Sequence, residues 1–127
     1  MTEKKANRKE RSRAVRVSNR DYPSVPGSVT YRAGVIEGVG IILDISTTGA
    51  HVYRPTKGLP KGVVADFFFL QPQTGRKLYA VGQVTRIDED GFAVHFLRIE
   101  RELESLVLSA AQDAEIEGED PEPEAGA

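Results

Sequence analysis

Between Ser28 and Leu97 the apolar residues fall into short runs, several of them alternating, and glycine, proline or polar turn residues close each run. Val29 and Tyr31 alternate within Ser28–Ala33 and predict a first strand. Val39–Ile45 (VGIILDI) is almost continuously apolar, the pattern of a strand buried on both faces. Ala50–Arg54 follows Thr48-Gly49, a pair suited to a tight corner between strands. Val63–Leu70 (VVADFFFL) is rich in Val and Phe and is introduced by Gly62, whereas Gln71–Arg76 (QPQTGR) reads as a loop because Pro and Gly punctuate it. Leu78–Ile87 and Phe92–Leu97 flank Asp88-Glu89-Asp90-Gly91, a hairpin signature with Asp-Gly at its end. In the last strand Phe92, Val94 and Phe96 face one way, and Ala93, His95 and Leu97 the other. One helix follows. Ile99, Leu103, Leu106, Val107 and Ala110 share a stripe, with Glu100, Arg101, Glu102 and Glu104 on the opposite side. Short strands at close spacing and one terminal amphipathic helix predict a small antiparallel β-barrel, with the helix laid over it or against a partner.

Composition narrows the class. A chain of 127 residues suits one domain with one core and no deep substrate chamber. Its net charge of −2 hides an asymmetry: eight of the first 20 residues are Lys or Arg, while from Asp113 onward there are seven acids and no base. The expected division is a flexible basic arm over residues 1–10, a folded domain over 11–112 and a disordered acidic tail over 113–127. Cysteine is absent, which excludes disulfides and thiolate metal sites. No apolar run approaches the roughly 18–20 residues that span a bilayer, and no apolar segment follows the basic N-terminus as in a signal peptide. A cytoplasmic protein without membrane insertion is expected.

The sequence carries no catalytic constellation. There is no cysteine nucleophile and no Gly-rich phosphate loop, and His51 and His95 lack metal-ligand spacing, so both read as strand-surface residues. No metal site and no enzymatic activity are expected. Two binding elements stand out instead. Arg16-Val17-Ser18-Asn19-Arg20 sets two guanidiniums four residues apart, and guanidiniums match phosphate oxygens and the guanine O6/N7 edge bidentately. Asp44-Ile45-Ser46-Thr47-Thr48-Gly49 sets Asp44 and Ser46 two apart on an extended chain, facing one side with Ile45 turned to the core. Asp44 can accept from a guanine N1–H/N2–H edge, Ser46 adds a short donor or acceptor, and Gly49 allows a positive φ and close ligand approach. Taken alone, each element also fits a plainer use: a chance arginine pair in a basic arm, and a turn whose polar side chains bond their own backbone.

Together, Arg16/Arg20 and, 24 residues later, Asp44-x-Ser46-x-x-Gly49 resemble the RxxxR and (D/N)xSxxG signature of PilZ domains. The likeness extends through VTYRAGVIEGVGIILDISTTGAHV, LPKGVVADFFFL and VGQVTRIDEDGFAVHFLRI, over roughly Arg11–Ala111. The position before the first motif arginine, often basic in the family, is Val15 here. This resemblance implies a six-stranded antiparallel barrel with a C-terminal helix, acting as a non-catalytic bacterial receptor for the second messenger cyclic di-GMP. Arg16 and Arg20 would clamp phosphates and guanine edges, Asp44 and Ser46 would hold a guanine, and Gly49 would keep the loop tight. No cofactor beyond this ligand is implied. The arm would be loose without ligand and fold onto the barrel with it, presenting a new surface to a downstream protein partner, from a monomer or weak homodimer. A rival within the family is a protein adaptor in motility or pilus systems that binds no nucleotide. A single-stranded nucleic-acid barrel is a poorer match, because the arm offers only Tyr22 for stacking.

Overall fold

Which face of each strand turns inward is set by the alternation of its side chains, and six such strands here close on themselves. The computed structural model describes residues 15–119. Strands β1 (Ser28–Ala33), β2 (Ile36–Ile45), β3 (Gly49–Tyr53), β4 (Val64–Leu70), β5 (Lys77–Ile87) and β6 (Gly91–Ile99) are followed by helix α1 (Arg101–Glu119). Every neighbouring pair is antiparallel, and the closed order is β1-β2-β3-β6-β5-β4, the barrel expected from the sequence. Closure leaves no strand edge unpaired along the barrel wall.

The interior is aromatic and β-branched. Tyr31, Phe67, Phe69, Phe92, Phe96, Val29, Ile42, Ile45, Val52, Leu78 and Val84 are buried in one continuous core. Tyr31 meets Phe92 edge to face at 5.5 Å, and Phe69 meets Phe96 in the same way at 5.8 Å, an arrangement favoured by the ring quadrupoles. Phe92, Val94 and Phe96 point inward, as the alternation requires, while His95 and Leu97 are exposed.

Strand β2 corrects one expectation. It is apolar on both faces but buried on only one: Ile42 and Ile45 lie in the core, whereas Val39, Ile41 and Leu43 are each nearly half exposed. The barrel wall is a single layer and the helix lies against β5, while the outer side of β2 stays partly open. The register of β2 on β3 shifts between Ile42 and Asp44, with Ile42 opposite Val52 and Asp44 opposite His51. This bulge adds one residue, Leu43, so Ile42 and Ile45 both reach the core although they are three apart. Asp44 is left pointing outward.

Helix α1 buries Leu103, Val107, Ala110 and Ala111 against the same core, with Ile99, Leu106 and Ala114 partly buried beside them. Its start is fixed to β5: the Tyr79 N–H donates to Glu100 Oε1 at 2.7 Å, and the Glu100 N–H donates to the Tyr79 carbonyl at 2.9 Å. The helix runs to Glu119, past the expected end of the folded part at residue 112. Ala110, Ala111, Gln112 and Ala114 are strong helix formers, and the partial burial of Ala114 gives the extra turns a footing on the core. No helix among the described residues is long and apolar enough to cross a membrane.

Gly49 opens β3 opposite His95 of β6. Its φ is not among the positive ones, which belong to Arg54, Gly34, Gly62 and Gly75. A Cβ at this position would instead stand 2.2 Å from the Val94 carbonyl oxygen. The expected need for a positive φ is therefore replaced by a need for close backbone contact between β3 and β6. Gly49→Ala should lower stability by about 1–3 kcal/mol, the cost of overpacking a site that cannot shift. Thermal melting followed by circular dichroism checks this; an unchanged midpoint would show that β6 moves aside freely.

Candidate ligand-binding site

The expected site residues sit on two segments distant in sequence, and one apolar residue brings them together. Val17 is the only core residue in the stretch Val15–Arg20, 3 % exposed, and its backbone pairs with Ile45 at the end of β2. The Val17 N–H donates to the Ile45 carbonyl and the Ile45 N–H to the Val17 carbonyl, each at 2.9 Å. Asn19 then folds the following loop, its side-chain amide donating to the carbonyls of Val25 at 2.8 Å and Pro23 at 3.2 Å. A Cβ on Gly27 would come within 3.1 Å of Asn19, so glycine there leaves room for this clamp. The middle residues of the RxxxR stretch thus have structural duties, and Arg16 and Arg20 are left exposed.

Arg16 Nη1 lies 2.7 Å from Asp44 Oδ1, joining the first residue of one motif to the first residue of the other. Arg20 makes no ion pair with any described residue. It borders a shallow groove of about 310 Å³, lined also by Ser18, Asn19, Gly27, Ile41, Leu43 and Tyr53. Arg8, Arg11 and Arg13 lie outside the described residues, as do residues 1–10 of the expected arm and 120–127 of the expected tail.

Asp44 keeps 29 % of its side-chain surface, whereas Ser46 is 1 % exposed. The strand ends at Ile45, and the chain turns at once: the Ser46 N–H donates to the Gly49 carbonyl at 2.8 Å, and Ser46 Oγ accepts from the Thr48 N–H at 3.1 Å. The serine hydroxyl builds the corner that carries Asp44, a local side-chain-to-backbone use of the residue. In Val15–Gly27, Val17 is buried in the core and the Asn19 amide is bonded to the Val25 and Pro23 carbonyls, so this stretch lies on the barrel.

The sequence presents His51 as an ordinary surface residue, yet its imidazole contacts a carboxylate. His51 Nε2 lies 3.0 Å from Asp88 Oδ2 in the β5–β6 turn. Desolvation, the largest single influence on Asp88, pulls its carboxyl up. The backbone N–H groups of Gly91 and Asp90 and the His51 imidazole together outweigh it and hold the carboxyl below its ordinary value of 3.8. The signal for this pair was weak in the sequence, because it depends on β3 and the hairpin turn meeting across the barrel.

The fold is a small closed antiparallel β-barrel with one C-terminal helix, and it brings Arg16 and Asp44 into contact. The sequence matches the PilZ domain model over residues 10–111, and the chain belongs to the PilZ domain family, in general non-enzymatic receptor domains that bind cyclic di-GMP. The fold is similar to that of the Bacillus subtilis inhibitor of motility (MotI/DgrA), with a TM-score of 0.59 and 15 % identity over 81 % of this chain and 50 % of that one. The chain therefore spans about half the length of that protein. It is also similar to the PilZ domain of CeSA from a cellulose-synthesizing bacterium, with a TM-score of 0.54 and 16 % identity over 79 % of this chain and 97 % of that domain. No curated protein matches the chain.

The depressed Asp88 carboxyl has a testable consequence. A lowered folded-state value contributes stability that is present above 3.8 and is lost as pH falls through the lower folded value. Asp88→Asn, which resembles the protonated side chain in charge and shape, should melt below the wild type at pH 7, and the gap should close as pH falls through the lowered folded value. A gap that persists unchanged at low pH would show that the carboxylate charge contributes nothing to the turn.

Proposed function

We propose that this protein is a non-catalytic receptor for cyclic di-GMP, with Arg16, Arg20, Asp44, Ser46 and Gly49 forming the binding site in unequal roles. The observation that carries the reading is the 2.7 Å approach of Arg16 to Asp44, across 28 residues of sequence. Family membership supports the choice of ligand, and this contact supports reading the two segments as one site. Arg16 and Arg20 take phosphate oxygens and guanine O6/N7, and Asp44 takes the guanine N1–H/N2–H edge. Ser46 and Gly49 act through the corner: one bonds the Thr48 N–H, and the other lets β3 close on β6.

The switch in this reading is an exchange of partners. The Arg16–Asp44 pair is substantially exposed, its side chains retaining 45 % and 29 % of their accessible surface. An exposed pair of this kind is worth about 0–1 kcal/mol, so a ligand offering phosphate to Arg16 and a guanine edge to Asp44 displaces it at little cost. Ligand-dependent movement near Arg16 then alters a surface that a downstream protein reads, in the cytoplasm of a bacterium. The likeness to an inhibitor of motility makes motility one process to test, and a family member that acts as an adaptor without nucleotide is the competing reading.

Calorimetry of the full chain with cyclic di-GMP separates these readings. Binding at micromolar affinity or better is expected, with selectivity over GTP and cyclic di-AMP. Arg16→Ala and Arg20→Ala should each cost about 1–3 kcal/mol of binding, the range for charge-assisted and bidentate contacts. Asp44→Ala should remove most binding while circular dichroism stays native. A folded wild-type protein that produces no binding heat and shows no competition would leave the adaptor reading in place.

A further inference from the structure

The register of the barrel draws one line across its outer surface that starts at Asp44. Asp44 of β2 pairs with His51 of β3, His51 with Ala93 of β6, and Ala93 with Arg86 of β5. Residues opposite one another on neighbouring strands share a face, so these four side chains stand in one row on the outside of the wall. Three strand spacings of about 4.8 Å put Arg86 about 14 Å along the surface from Asp44. Between the ends stands His51, its ring directed to Asp88; past it the floor is low, since Ala93 contributes a single methyl group and Gly49, in the adjacent row opposite His95, none.

The two ends of this row are chemically matched. At the β2 end stand Asp44 and the Arg16/Arg20 arm. At the β5 end, exposed Arg86 has no hydrogen-bond or ion-pair partner among the described residues, although Asp88, Glu89 and Asp90 follow it closely in the chain. Asp88 is directed to His51 instead. An unpaired guanidinium beside a cluster of carboxylates, set over a floor of small residues, is available for an anion arriving from solution.

Cyclic di-GMP is two-fold symmetric, with a phosphodiester and a guanine in each half. Resting on the reading above, we infer that Arg86 is a further ligand-binding residue. It takes the phosphodiester of the half that lies away from the arm, while the nucleotide spans the Ala93–Gly49 floor. His51 belongs to the same device. By holding Asp88, it keeps one carboxylate of the hairpin turned towards itself and screened from the ligand's path.

Calorimetry of the full chain with cyclic di-GMP, run on Arg86→Ala, Arg86→Lys and a remote control, Arg32→Ala, tests this. Arg32 lies on β1, 4.0 Å from Glu37, and is no part of the row. Arg86→Ala should weaken binding about 5–100-fold and flatten its salt dependence, with an unchanged melting temperature. Arg86→Lys should recover part of the affinity, and Arg32→Ala should bind like the wild type. If the wild type binds, Asp44→Ala does not, and Arg86→Ala matches the wild type in affinity and salt slope, the role of Arg86 is overturned and the receptor reading stands. Equal losses in Arg86→Ala and Arg32→Ala would also overturn it, since general surface charge would then explain the effect. A wild type that does not bind at all overturns the receptor reading, and this inference with it.

Discussion

Two reciprocal backbone hydrogen bonds between Val17 and Ile45 determine where the N-terminal segment meets the β2–β3 corner. They extend β2 sideways by one residue of the N-terminal segment, and the burial of the Val17 side chain secures that extension to the core. Burying a valine contributes about 1.5–3 kcal/mol, enough to offset much of the cost of ordering a few residues. With the arm held at this point, Arg16 has only a short distance to reach Asp44. Without it, two arginines on a basic segment would be one charged patch among several.

The barrel supplies the other half of the geometry. The bulge at Leu43 turns Asp44 outward while Ile42 and Ile45 remain in the core, and the Ser46–Thr48 turn ends the strand immediately afterwards. Gly49 lets β3 run close to β6, and the order β2-β3-β6-β5 sets the outward faces of these strands side by side. The site is thus a consequence of sheet closure as much as of motif residues. Its ion pair is exposed and weak, as the proposed exchange for a ligand would require.

The fold was largely legible in the sequence, because alternation in β1 and β6, the Asp-Gly hairpin and the helical stripe are local signals that a closed barrel leaves intact. Less legible was anything that depended on which strands become neighbours. The exposure of Val39, Ile41 and Leu43 could not be read from VGIILDI, since an apolar run does not reveal whether a second layer will cover it. The burial of Ser46 was not readable from the sequence, because it depends on the turn that starts straight after Ile45. His51 and Asp88 met only through the β3–β6–β5 pairing. Val17 was the one missed residue with a visible signal: a lone apolar side chain between charged and polar neighbours, two residues from the nearest other valine.

The claim on which the account rests is that the arm and the β2–β3 corner form one site. Amide chemical shifts of the labelled protein, followed by NMR while cyclic di-GMP is added, test it most directly. The account predicts that Arg16–Arg20 and Asp44–Gly49 shift together, saturating at the same ligand concentration. Shifts confined to one of the two segments, or centred on the β1–β4 side of the barrel, would contradict it.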